Sequence, residues 1–147
     1  MELKLITHEI TPAEIRLLAK WRKRVQPLWG ETFKVTYQGT KKWIHRIVDN
    51  PDKMLFFVIK NGKPIGHVGF DSIEPCFVGN IIRGRGRSDG SMTEAIHTLA
   101  AIGRKFGKNI YLKTSTSNIN ATRFYKKIGF VISFFDGKDL IMKYEKD

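Results

Sequence analysis

The residues best suited to chemistry lie between Val78 and Phe106, VGNIIRGRGRSDGSMTEAIHTLAAIGRKF. They read as a strand, a loop crowded with glycine and arginine, and an amphipathic helix. Glycine lets backbone N–H groups come close to an anion. The start of the helix adds a partial positive charge and unpaired donors. Arg83, Arg85 and Arg87 put full charges on the same turn. The chemistry expected here is capture of a phosphate-bearing cofactor at the helix start. A second group of residues, Trp29, Phe33 and Tyr37, falls in an irregular stretch with Pro27 and Gly30. Aromatic rings there could line a substrate pocket, or simply cover the edge of the core. Cys76 is the lone cysteine. No intrachain disulfide can form, a zinc site would need other ligands, and no metal is expected.

Strands and helices must position these groups, and the sequence punctuates them clearly. Leu3 and Leu5 share one face of a short first strand. Thr11, Pro12 and Glu14 form a capping-box start for a helix with Ile15, Leu18 and Trp21 or Arg22 on its buried face. Pro27 is expected to end it. Thr40 is expected to cap a second helix, with Trp43, Ile44 and Ile47 inward and Asn50-Pro51 as its stop. Met54 to Ile59 and Pro64 to Ile73 flank Asn61-Gly62, a hairpin signal. Cys76 to Ile82 is the strand leading into the loop. Ser91 to Phe106 is a helix with Met92, Ala95, Ile96, Leu99, Ile102 and Phe106 facing the sheet, and Gly107 is its stop. Asn109 to Thr114 is a strand. Ser117 or Asn118 caps a last helix with Ala121, Phe124, Tyr125 and Ile128 on one face. Phe130 to Phe135 and Leu140 to Tyr144 close the chain as a hairpin. The expected fold is mixed α+β: a central, mostly antiparallel twisted sheet of about six to seven strands flanked by about four helices.

The length of 147 residues suits one domain, expected to span 1–147. Apolar residues make up 41%, which excludes a disordered chain, and no run is long enough to span a bilayer. The first ten residues lack the unbroken apolar core of a secretory signal, so a cytoplasmic protein with no membrane partner is expected. The formal net charge is +12, from 26 Lys+Arg against 14 Asp+Glu. Such a chain attracts anions: a polyphosphate cofactor, an acidic partner or a nucleic acid.

Two motifs together carry a resemblance across nearly the whole chain. Arg87-Ser88-Asp89-Gly90-Ser91-Met92 resembles the R-x-x-G-x-G/A acyl-CoA loop of the GNAT superfamily of N-acetyltransferases. Ser117 to Phe130, SNINATRFYKKIGF, resembles that family's N-x-x-A-x-x-x-Y-x-K-x-G-F segment. Met92 departs from the usual glycine or alanine. The loop also admits a second register beginning at Arg83, with Arg87 favoured as the phosphate ligand. Trp21-Arg22, Trp43, Ile65 to Gly69 and Asn80 to Gly84 resemble branches that modify ribosomal-protein N-termini or nucleotide-linked amino sugars.

The resemblance implies a three-layer GNAT-like fold and transfer of an acetyl group from acetyl-CoA to a primary amine, by direct attack in a ternary complex. The acceptor it suggests is small and anionic, an amino sugar on a nucleotide carrier. The alternatives are a protein N-terminus or lysine as acceptor, or a non-enzymatic basic nucleic-acid-binding domain, which lacks a recognition helix or zinc pattern. In the implied site, Arg83, Arg87, Ser88, Asp89, Gly90, Ser91 and Met92 hold the pyrophosphate. The Asn80, Ile81 and Ile82 edge pairs with the pantetheine amides. Asn118, Arg123 and Lys127 meet other parts of the cofactor. Tyr125 protonates the departing thiolate, and it equally suits the apolar stripe of its helix. Arg22, Trp29, Phe33 and Tyr37 face the acceptor. For a base, His67, Asp71 and Glu74 stand nearest, and His67 has a suitable ordinary pKa near ~6.5. Its other reading is a structural strand histidine. A homodimer is compatible with the resemblance.

Overall fold

The structure, a computed structural model, describes residues 1–29, 33–86 and 88–146, and their side chains except those of 27–29. Eleven elements follow in the expected order: β1 (Glu2–Leu5), α1 (Pro12–Trp29), α2 (Tyr37–Asp49), β2 (Met54–Lys60), β3 (Lys63–Ser72), β4 (Cys76–Arg83), α3 (Ser91–Lys105), β5 (Ile110–Ser115), α4 (Ile119–Ile128), β6 (Phe130–Phe135) and β7 (Asp139–Tyr144). The strands make one sheet in the order β1-β2-β3-β4-β5-β7-β6. Every pair is antiparallel except β4–β5, which is parallel. A parallel pair needs a crossover, and α3 is that crossover. The mixed α+β fold with seven strands and four helices is the one expected.

Two local expectations change. α2 starts four residues earlier than Thr40, at the cap Thr36, whose hydroxyl accepts from the Gly39 N–H at 3.0 Å. Thr40 is instead fully buried and accepts from the Arg22 guanidinium at 3.0 Å. A helix favours whichever threonine leaves the helix interior, and one already committed to a side-chain partner inside it does not cap. α1 also runs through Pro27 to Trp29. Proline in a last turn removes one ladder bond and need not stop the helix.

Two cores hold the sheet between its helices. One packs β2, β3, β4, β5, β6 and β7 against α3, through residues such as Val58, Val68, Met92, Ile96, Leu99 and Met142, with Ile128 of α4 joining it. The other packs α1 and α2 on β2, through Ile15, Leu18, Trp21, Ile44, Leu55 and Phe57, with Ile82 of β4 at its edge. Each such side chain removed from water contributes about 1.5–3 kcal/mol. This second core takes no residue from β5, β6 or β7. That half of the sheet face is therefore left outside the α1–α2 layer.

Three irregularities interrupt the pairing around β4. β4 and β5 pair only at Cys76↔Ile110 and Phe77↔Tyr111, so they part beyond Phe77. On β4 the register slips between its pairings with Gly69 and His67, where Asn80 takes a φ of 52°. On β3 Phe70 faces Val78 and Ser72 faces Phe77, which leaves Asp71 as an extra, bulged residue. At the far edge, β6 carries Val131, Ile132, Phe134 and Phe135, each 46–57% exposed.

Candidate active site

A cleft of about 320 Å³ lies against the part of β4 that has left β5. Ile81 and Arg83 of β4 line it, with Ser88 and Gly90 of the loop, Met92 and Thr93 of α3, and Phe124 and Tyr125 of α4. Six of the expected site residues thus meet in one place, although they come from three elements and a loop. Past Phe77 the β4 backbone has no β5 partner, so Asn80, Ile81 and Ile82 offer a strand edge to an extended ligand.

The loop is pinned from both sides. Gly84 lies against Trp21, where an added Cβ would stand 2.0 Å from the indole ring. The Arg24 guanidinium donates to the Arg83 and Gly84 carbonyls. Arg83 donates from Nε to the Gly86 carbonyl at 3.2 Å and from a terminal nitrogen to Asp89 Oδ1 at 3.4 Å. Asp89 also pairs with Lys60 and accepts the Ser91 N–H at 2.9 Å. These partners hold its carboxyl far below the ordinary value, the Lys60 hydrogen bond first and the Ser91 backbone next. Gly90 precedes α3 at a φ of 85°, a conformation suited to glycine, with no side-chain cap of its own. The start of α3 therefore presents N–H donors beside two cations.

Tyr125 packs by Phe124 and Phe130, with ring centroids 5.5 and 6.2 Å away. Burial raises its pKa above 10, and the charge of Asp71 raises it further. Asn118 caps α4, accepting the Ala121 N–H at 3.1 Å. Arg123 and Lys127 lie exposed on α4, one turn apart. Ser91 and Met92 are buried, and the Ile82 side chain turns into the α1–α2 core.

The acceptor-side expectations fall out differently. Arg22 is 7% exposed, stacked 4.4 Å from the Trp43 ring and 5.9 Å from the half-exposed Phe33 ring. It is a buried bracket between α1 and α2 and does not line the cleft. Tyr37 packs on the edge of the same core. The Trp29 side chain and all of Arg87 lie outside the described residues. His67 has no exposed surface. It stands between Trp21 and Trp43, at 6.3 and 6.1 Å, and neither ring nitrogen has a hydrogen-bond partner. Desolvation pulls its pKa down to about 4, opposed by the Asn80 backbone and assisted by Arg22. That burial leaves the expected base no path to the cleft. Cys76 is no nucleophile either: burial, then Asp52, push its thiol up to about 11.

Comparison with known proteins identifies the family and the fold. The model of the acetyltransferase (GNAT) family matches residues 18–130. Among curated proteins, no sequence matches the chain. Several solved structures share the fold. AAC(6')-Ib in complex with ribostamycin and coenzyme A superposes with a TM-score of 0.77 at 16% identity, covering 99% of this chain and 94% of that one. The Campylobacter jejuni N-acetyltransferase PseH, in complex with acetyl coenzyme A, gives 0.73 at 19% identity, with 99% of each chain covered. FdhC, described as a nucleotide-linked sugar GNAT, gives 0.73 at 16% identity over 98% of this chain and 89% of its own. The chain belongs to the acetyltransferase (GNAT) family. It is an acetyl-CoA-dependent N-acetyltransferase.

Among the described residues no helix is long and apolar enough to cross a membrane.

Proposed function

We propose that this chain acetylates the primary amine of a small anionic acceptor, an amino sugar on a nucleotide carrier. The observation that carries the reading is the cleft walled by β4, the loop, α3 and α4, which joins a strand edge, a cationic loop and Tyr125 in one place. Acetyl-CoA, when bound, supplies the acetyl group as a thioester. The β4 edge is suited to hold an amide-bearing arm, and its N–H groups to polarise a carbonyl. Lys60, Arg83 and the α3 start are suited to the diphosphate, with Arg87 added from its place in the motif. Asn118, Arg123 and Lys127 lie along α4 for the remainder. Tyr125 keeps its proton at neutral pH, as a donor to a leaving sulfur must.

The acceptor class rests on the charge of +12, on the sequence features shared with sugar-modifying branches, and on likeness to FdhC. A thiol-release assay with acetyl-CoA tests it against UDP-glucosamine, free glucosamine, polyamines and short peptides. Turnover highest on the nucleotide-linked sugar is the expected result. Preference for a peptide would move the acceptor to a protein N-terminus or lysine. Salt-sensitive nucleic-acid binding without thiol release would remove the enzymatic reading.

For a homodimer, the seam we favour is the open β6 edge. It is uncharged from Phe130 to Phe135 and apolar on both faces. Antiparallel pairing of two copies would bring Asp136 and Asp139 of one toward Lys126 and Lys127 of the other. Sedimentation velocity should show a dimer that Ile132→Lys dissociates.

A further inference from the structure

Asp71 is the carboxylate that the fold places against β4 where that strand leaves β5. It is the extra residue of the β3 bulge, and a bulge re-aims the side chain it carries. The Asp71 carboxylate reaches across the neighbouring strand into the notch left by Gly79. A Cβ at Gly79 would stand 1.9 Å from Asp71 Oδ2 and 2.5 Å from Oδ1. Asn80 on the facing bulge donates from Nδ2 to Oδ1 at 3.3 Å. The Asp71 charge is felt at Tyr125. Asp71 remains exposed.

Alternation along β4 gives the side of the sheet. Val78 points into the α3 core, so Phe77 and Gly79 point the other way. There Phe77 stacks on Tyr111 and meets Lys113, beyond the reach of the α1–α2 core. Asp71 thus sits on the open face, at the point where β4 and β5 part.

Resting on the N-acetyltransferase reading, we propose that Asp71 receives the acceptor amine and takes its proton. Its carboxylate pairs with the amine on arrival. It accepts one proton from nitrogen as the C–N bond to the acetyl carbon forms, when that nitrogen becomes acidic. Tyr125 gives its phenolic proton to sulfur as the C–S bond breaks. One residue ends with a proton gained and the other with a proton lost, and exchange with water restores both. Desolvation of the carboxylate against β4 raises the Asp71 pKa above its ordinary value although the residue keeps some exposed surface, with Lys53 and then Lys113 opposing. Lys53 comes from the loop before β2, Lys113 from β5, Asn80 from β4 and Tyr125 from α4. Among the described residues, Asn80 reaches it by a hydrogen bond, and Lys53, Lys113 and Tyr125 are coupled to it through its charge.

The test uses the full chain, acetyl-CoA and the fastest amine among UDP-glucosamine, glucosamine and a short peptide. Asp71→Asn should lower kcat/KM about 10²-fold or more and abolish the acid limb of its pH profile. Gly79→Ala keeps the carboxylate but evicts it from the notch, and should lower kcat/KM in the same direction. Asp71→Glu should restore part of the activity. Acetyl-CoA affinity by calorimetry should hold in all three. A folded Asp71→Asn protein that keeps the parent acid limb overturns the proposal while leaving the acetyltransferase reading intact. Failure of the unaltered protein to acetylate any amine overturns both.

Discussion

Tyr125 and His67 show how burial selects between two titratable groups of one fold. Burial holds the Tyr125 phenol protonated, and Asp71 reinforces it. Tyr125→Phe should keep the packing on Phe124 and Phe130 but lose the proton. Turnover should fall about 10²-fold or more in a thiol-release assay, with acetyl-CoA affinity retained. His67 is the opposite case, buried neutral with a pKa of about 4 against an ordinary 6.5. Above pH 6.5 neither the folded nor the unfolded imidazole is charged, so it contributes no slope. Between 6.5 and 4 the unfolded chain binds the extra proton, and stability falls as pH falls. The loss approaches about 3 kcal/mol near pH 4. Urea melts across this range should show the slope flatten in His67→Phe relative to the parent. Residue identity explains what sequence reading could find here. Tyr125 stands inside a motif whose spacing is local, so it is visible in one window. Asp71 was readable as one of three candidate bases, but its placement over Gly79 depends on a bulge, which is a property of register between two strands and has no signature in either alone. His67 was readable as a titratable strand residue, but its burial between two tryptophans is set by α1 and α2, which are distant in sequence.

At the scale of elements, the loop between β4 and α3 depends on how closely α1 approaches it. Gly84 admits the Trp21 ring because it has no side chain. Gly84→Ala should therefore cost about 1–3 kcal/mol in urea melts and weaken acetyl-CoA binding, since relief of the clash must move the loop or the ring. Asn118→Ala should cost about 1 kcal/mol by loss of the α4 cap, and it acts on the helix that presents Tyr125. The order of elements was legible because hydrophobic period, Asn61-Gly62 and Gly107 are local signals that agree with one another. The start of α2 was not. Thr36 and Thr40 both qualify as caps by type, and the choice turns on Arg22, from another helix. The coupling of Lys60 to Asp89 was equally hidden, because the β2 end and the loop meet only after β3 has folded back.

Across the whole molecule, the surplus of positive charge acts on rates of encounter. With a net charge of +12, the apparent KM for an anionic acceptor should rise as sodium chloride is added, while that for a neutral amine stays nearly level. Steady-state kinetics at several salt concentrations check this. The charge was legible from composition, but its distribution was not, and neither was the pairing of Asp89, expected on the pyrophosphate, with the cations Lys60 and Arg83. Asp89, held by Lys60, Arg83 and the Ser91 N–H, is the protein's own counter-ion. If these cations hold the diphosphate as proposed, loading the site is an exchange of anions, with a carboxylate released as a diphosphate arrives. Asp89→Asn would leave the cations without their resident partner. Inorganic phosphate should compete with acetyl-CoA more strongly in that variant than in the parent, as inhibition constants for the two proteins would show. On the proposed reading, the native carboxylate would keep an otherwise receptive basin clear of the ordinary small anions of a cell.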